Sequence, residues 1–426
     1  MAARLPSTFS RDTLRLRMPQ LAGFTSGKAE TSPAQGLRLE DVLSIPMPDT
    51  NAEDQASDAA IQQGVFLARQ EQWELIEVRI LEADHHRKAT PGGTPLAELI
   101  AYGARADVVN AVEHALSEGL LPTERVLLDG IMSLERVRLE LGSRPAISTL
   151  VALTHLDIAW ACRRVAAKRN AKQAAVLQAR ATAHLARAEK ILDQLTEAAT
   201  DSAFVAAARC ALYCGATEPA RTRDLADDYH ALIRLDPLNP RHMRALGTHL
   251  CEQGASGLKA LELEARRVAA AQTRHWGAAG YTWVYFDALA RNDAACLTVD
   301  VGFFLEGIAD IVARSCCQDR VNLLSAYCSL SLKSAANARP EAARVRAEVA
   351  SAARWLIRDH LREVHPLIWA HAGAGFDNDA QVRSVRQFAE TGRKAALRAI
   401  ADLFRDEIEA GKRVVFTADG PQLQAG

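Results

Sequence analysis

The sequence predicts an all-α chain, an α-solenoid or helical-repeat array of about fourteen helices. Three observations carry that expectation. Alanine is abundant while aromatic residues make up only 5%, which favours closely packed helices over the β-branched and aromatic strands of an all-β fold. Apolar residues recur three or four apart from residue 58 to the last stripe at Phe404. The stretches between are short turns, and no strands alternate with the helices.

Residues 1–56 hold Pro6, Pro19, Pro33, Pro46 and Pro48 among many Ser, Thr and Gly. No helical period survives there, so the segment reads as disordered or extended. Within it, Leu39, Val42 and Leu43 share one helical face. They suit either a short helix docked on the protein's own body or a linear motif for another protein. A helical-repeat body then spans 57–411, with candidate subdivision points near 169 and 339, and a tail spans 412–426.

In the body, Ala60, Gly64 and Leu67 lead to a Gln-Glu-Gln turn, followed by Trp73, Ile76, Ile80 and Ala83. PGGTP at 91–95 breaks the chain. Residues 96–118 are helical and Gly119 caps them; Pro122 opens a helix to 141. A mainly apolar helix with Trp160 occupies 145–168. The long helix 170–198 has a packing seam at Leu177, Ala181, Leu185, Ala188, Leu192 and Leu195. Its alternate alanines suit close helix pairs, and it lasts too few heptads to favour a coiled-coil dimer. Asp201 caps a short helix ending at Gly215, and Pro219 opens the next.

The stretch 227–264 reads as helix, Asp-Pro corner, helix, Gly turn, helix. Tyr229, Leu232 and Leu235 make one apolar face; Met243, Leu246 and Leu250 make the second; Ala260, Leu261 and Leu263 begin the third. Asp236-Pro237 ends the first helix, because proline restricts the residue before it. Asn239-Pro240 opens the second. Gly247 lets another backbone approach, and Gly254 supplies a left-handed turn. This stretch resembles one tetratricopeptide unit: the Asp-Pro-x-Asn-Pro corner, Leu246-Gly247 inside the first helix, Gly254 at the turn and Ala260 beyond it. Residues 60–83 are similar to a degenerate unit. The resemblance covers roughly a tenth of the chain. It implies helix pairs that bind another protein, with the first helix of a unit lining a concave groove. On that helix Arg241, Arg244, Thr248 and Glu252 lie away from the packed stripe and are the candidate partner-binding residues. The two arginines suit an acidic peptide, or are solvated or paired with a neighbouring helix. Thr248 departs from the Asn that a carboxylate clamp of this family places there.

Beyond 264 the helix continues to 272. Trp276, Tyr281, Trp283, Tyr285 and Phe286 form the one aromatic concentration. Residues 299–313 are apolar nearly all round and read as a central helix. Helices follow at 321–332 and 340–364. Residues 365–379 form the longest irregular stretch of the body. Asp379 caps the last long helix, with Val382, Val385, Phe388, Ala396, Ile400, Leu403 and Phe404 as its stripe. Arg413 to Thr417 has strand character but no evident partner.

Formal net charge is −1 with 24% charged residues. That argues against a nucleic acid or anionic membrane held by bulk charge. No apolar run approaches the ~18 residues of a membrane span. The eight cysteines contain no C-x-x-C pair and read as free thiols of a reducing compartment. A bacterial cytoplasmic setting follows, with the mitochondrial matrix as the alternative, because the first residues are Arg-rich and acid-poor.

The motifs of chemistry are thin. Residues 22–29 approach a phosphate-binding loop, but Ala29 stands where the Mg²⁺-holding hydroxyl belongs. Glu82-x-x-His85 is a single copy of a motif that a di-iron site needs twice. His360, His365 and His371 lie near the irregular stretch without helical ligand spacing. No metal, cofactor or catalytic residue is assigned. The sequence therefore predicts a non-enzymatic scaffold or adaptor that binds a protein or peptide. The alternative is a helical enzyme or small-ligand binder with a site at Trp276, Trp283 and 365–379.

Overall fold

The computed structural model describes residues 39–48, 50–119, 126–215, 224–315, 317–333, 338–375 and 384–425. Among these the chain is mostly helical, in line with its composition and periodicity. The phosphate-loop-like stretch 22–29, Pro122, Pro219, Cys316, the side chain of Cys214, residues 376–379 with the Asp379 cap, and Val382 lie outside the described residues. By internal contacts the chain divides into two compact units: Ala52–His242, and the described part of 1–51 together with 243–426. Both subdivision points read from the sequence, 169 and 339, fall inside these units.

In the unit Ala52–His242, helix Ala52–Arg69 starts six residues before the sequence periodicity does. It crosses Leu96–Ser117 so closely that a Cβ on Gly64 would stand 2.1 Å from the Ile100 oxygen, and one on Gly103 2.0 Å from the Ile61 oxygen. Glycine at both positions lets the two backbones meet. Helix Pro145–Ala166 is buried nearly all round. It is long and apolar enough to cross a membrane, which corrects the expectation that no run qualifies; 83% of its apolar window is buried inside the protein.

Buried carboxylates finish the helix ends that local sequence leaves open. Glu77 accepts from Ala146 N at 3.2 Å and Ile147 N at 2.8 Å, satisfying orphan donors at the start of Pro145–Ala166. Asp84, two turns further along the same helix Trp73–His85, accepts from Phe204 N at 3.0 Å at the start of Ala203–Ala211. Glu53 accepts from the Thr90 and Thr94 hydroxyls and from Gly92 N, which orders the PGGTP break.

The seam of Ala171–Asp193 is as expected at Leu177, Ala181, Ala188 and Leu192, with Leu195 beyond its end; Leu185 is half-buried and His184 joins the buried face. At the Asp-Pro corner, Asn239 Oδ1 accepts from Arg241 N at 3.2 Å. Its amide and His242 Nε2 both reach Asp236 Oδ2, at 3.0 and 3.1 Å. Burial pushes the Asp236 carboxyl up, but these bonds outweigh it and hold the group below its usual range.

In the other unit, Met243, Leu246 and Leu250 are buried as expected. Gly254 has φ +69 and ψ −140, a conformation open to glycine alone. The third stripe is corrected in part. Leu261 is buried as expected and Ala260 half-buried, but Leu263 is 61% exposed, and Gly257, Ala265 and Val268 join Leu261 on the inward face. Gly247 stands where a Cβ would lie 1.8 Å from the Val284 oxygen. That contact is with backbone of helix Ala279–Arg291, which cannot swing aside as a side chain does. Gly247→Leu is therefore expected to cost at least about 1–3 kcal/mol. A melting temperature equal to wild type would contradict this crossing.

Three further expectations are corrected. Helix Val301–Arg314 is not a central helix: Phe304, Ile308, Ile311 and Val312 are buried, while Glu306, Ala309 and Arg314 line its solvent side. The deeply buried helix is Ala279–Arg291, which carries the aromatic cluster. The expected helix 340–364 ends at Ala350 and gives way to a short helix Ala353–Trp355 and a wide turn Leu356–His360.

The third correction concerns the supposed lone strand. β1 (Leu43–Ser44), β2 (Lys412–Thr417) and β3 (Gly420–Ala425) form one sheet in that order. β1 runs parallel to β2 with Leu43 opposite Val414; β2 and β3 form a hairpin closed by Thr417 opposite Gly420. Gly420 takes φ +117 at the turn. Leu39–Val42 is the short helix preceding β1, and Arg393 pairs with Glu40 at 2.7 Å.

Candidate functional site

Two of the four candidate groove residues are buried and a third, Arg241, is half-buried. Arg244 is 1% exposed and clamps Asp287 with two bonds of 2.8 Å, its guanidinium 4.6 Å from the centroid of the Phe286 ring. Thr248 is buried and donates to the Arg244 carbonyl at 2.9 Å. Arg241 holds Glu98 at 2.9 Å with little of its side chain exposed. Glu252 alone is exposed. The expected open face of Pro240–Glu252 is thus a second packed face, and the paired alternative describes both arginines.

The alternative site is also filled. Trp276 and Trp283 are 2% and 0% exposed and meet edge to face at 6.0 Å. The supposed irregular stretch is helical over Pro366–Ala374, with Trp369 fully buried. Three histidines are not brought together. His360 packs on Trp355, and His371 on Phe388.

His365 has the richest polar surroundings of the three. Its Nδ1 lies 3.2 Å from Asn51 Nδ2 and 3.6 Å from Asp319 Oδ1, and its Nε2 lies 2.9 Å from Glu363 Oε1. Its backbone N–H donates to Asn322 Oδ1, which also accepts from Trp369 Nε1, each at 2.9 Å. Burial opposes a charge on this imidazole, but Asp319 and Glu363 outweigh it and hold His365 above its ordinary value.

A second cluster escaped the sequence analysis. Glu135, on Val126–Glu140, accepts from Arg187 at 2.5 and 2.8 Å and from Arg138 at 3.0 Å. His155 Nε2 lies 3.1 Å from Glu135 Oε1, the oxygen that also accepts from Arg187 Nε, and His155 Nδ1 lies 2.7 Å from His184 Nδ1. With Nε2–H donated to Glu135, neutral His155 offers its Nδ1 lone pair to His184 Nδ1–H. Burial pushes His184 down to about 3, with His155 and Arg180 adding to it. Burial alone would raise Glu135, but His155, Arg187 and Arg138 outweigh it and hold the carboxyl far below its usual range. A usable signal existed: His184 continues the seam three residues after Ala181 and four before Ala188. Among the described residues, no group of three or more His, Cys, Asp or Glu is arranged to hold a metal ion.

Comparison with protein-family models, curated proteins and solved structures finds no match for this chain.

Among the described residues, helix Trp73–His85 carries exposed apolar side chains at helical spacing. On helix Trp73–His85, Ile76, Glu77, Ile80, Ala83 and Asp84 are buried. Leu75, Val78 and Leu81, spaced three apart on the other side, are 37%, 54% and 39% exposed. Phe66, one turn before the end of the preceding helix, is 62% exposed. Arg79 and Lys88 pair with Glu82 beside the stripe, at 3.4 and 2.6 Å.

Proposed function

We propose that the protein is a non-enzymatic helical-repeat scaffold, similar to tetratricopeptide proteins, that binds a protein or peptide. The observation that carries this reading is the Leu75–Val78–Leu81 stripe. Single exposed apolar residues are ordinary, but three at helical spacing on the outer side of a helix already packed on its inner side make a contact surface. The stripe lies in the 60–83 stretch whose spacing resembles a degenerate repeat unit. Its bordering ion pairs resemble the polar rim of an interface. The groove on Pro240–Glu252 is not part of this reading, since Glu98 and Asp287 already engage its arginines. The buried free thiols at Cys162, Cys296 and Cys328 suit a reducing bacterial cytoplasm.

The test is the double substitution Val78→Asp with Leu81→Asp in the full chain. Exposed positions tolerate change within about ±0.5 kcal/mol, so the melting temperature is expected to stay near wild type. Recovery of the partner that crosslinks to helix Trp73–His85 in the wild-type protein is expected to fall several-fold. Equal recovery, or no specific crosslink to this helix in wild type, overturns the reading.

A further inference from the structure

His365 sits where three segments meet: helix Gln318–Ala326, the extended residues 361–365, and residues 45–48 and 50–51 of the N-terminal segment. Two of the bonds that fasten the last lie close together. Val364 N donates to the Pro46 carbonyl at 2.9 Å, and the Asn51 amide reaches His365 Nδ1 at 3.2 Å. The same Nδ1 faces Asp319 Oδ1 at 3.6 Å, and that oxygen is buried without a hydrogen bond. Nε2 is held by Glu363 in either protonation state, because neutral and charged imidazole can both donate there. One ring nitrogen therefore has two claimants of opposite character, an amide N–H that needs a lone pair and a carboxylate that needs a proton.

We propose that His365 is a proton-controlled latch on the described residues 46–48 and 50–51: neutral, its Nδ1 accepts from Asn51 and holds them; protonated, it donates to Asp319 and the acceptor is withdrawn from Asn51. Among the described residues, the charges acting on the ring are Asp319, from Gln318–Ala326, and Glu363, from the extended residues. The neighbouring Arg362 is engaged elsewhere, its guanidinium donating to the carbonyls of Ala418, Leu361 and Asp359. Helix Pro366–Ala374 contributes Trp369, which is neutral and bonded to Asn322. Two carboxylates facing one buried imidazole favour its charged form, which places the exchange within reach of ordinary pH changes. The arrangement uses no group of the Leu75–Val78–Leu81 stripe, so the latch stands or falls separately from the proposed function.

The experiment is hydrogen–deuterium exchange of the full-length protein from pH 8.5 to 5.5, with rates corrected for intrinsic pH dependence. Peptides covering residues 43–51 are expected to lose about two- to tenfold in protection on acidification, the equivalent of one hydrogen bond. His365→Gln is expected to remove the pH dependence. Asp319→Asn is expected to move its midpoint to lower pH, because the charged form loses a carboxylate. Protection that is unchanged or increased in acid overturns the proposal, since an Asn51 that turned its oxygen to the charged ring would hold the segment. If His365→Gln fails to fold, Asp319→Asn decides: an unmoved midpoint overturns it.

Discussion

Asp287→Ala is expected to destabilise the protein by about 3–5 kcal/mol, the cost of leaving a buried charge without its partner. Arg244 is 1% exposed and its two short bonds to Asp287 run in parallel, a geometry that a lone carboxylate supplies and alanine cannot. Arg244→Ala is expected to fall in the same range. It abandons the Asp287 carboxylate and removes a guanidinium packed over Phe286, itself stacked on Tyr327 at 3.9 Å. Replacing both members together, Arg244→Met with Asp287→Leu, is expected to recover much of the loss, because apolar side chains of similar size carry no desolvation cost. Thermal melts of the two single variants and the double variant measure this. Single variants that melt within a degree or two of wild type would remove the pair from the core.

Acid is expected to weaken both units over one window. Burial pushes His184, in the unit Ala52–His242, and His249, in the other, down to about 3 from an ordinary 6.5. Between those values the unfolded chain carries the proton and the folded chain does not. Stability from each histidine is thus fully present above pH 6.5 and is lost as pH falls toward 3. A gap of this size is worth on the order of 4–5 kcal/mol per histidine if fully realised. Glu135 acts in the same direction further down, as pH falls below the ordinary carboxylate range. His365 has the opposite sign. Its pKa is raised in the folded state, so its contribution is complete below 6.5 and fades at higher pH. Urea midpoints at pH 7.5, 6.0 and 5.0 should decline in that order. His249→Met should flatten the decline; midpoints that stay level from 7.5 to 5.0 in wild type count against neutral burial of these rings.

The candidate site was less legible than the helices, and the errors share a cause. Arg241, Arg244 and Thr248 carry polar groups at positions off the apolar stripe, which a pattern reading assigns to solvent. The two arginines are drawn inward by Glu98 and Asp287, which lie 143 and 43 residues away, and Thr248 turns its hydroxyl to the Arg244 carbonyl. The sheet failed for a related reason. β3 is polar and largely exposed, with Leu423 its one sizeable apolar side chain, so it has little alternation to read. The Asp419-Gly420 dipeptide at its start was the available hairpin signal.

What the sequence determined by itself were the features that depend on neighbours a few residues apart. Apolar spacing placed Met243, Leu246 and Leu250 inward; Asn170 and Asn239 cap their helices; and Gly254 takes a backbone conformation that other residues avoid. Tertiary structure alone decided which polar side chains are inside. Glu77 caps a helix that begins some 70 residues later, Glu135 gathers two arginines and a histidine, and β1 pairs with a strand at the far end of the chain. A buried charge is tolerated only where a partner offsets its lost hydration. Arg138 lies on the helix of Glu135 itself, but the other partners come from elsewhere in the chain, and the spacing of residues along one helix does not encode them.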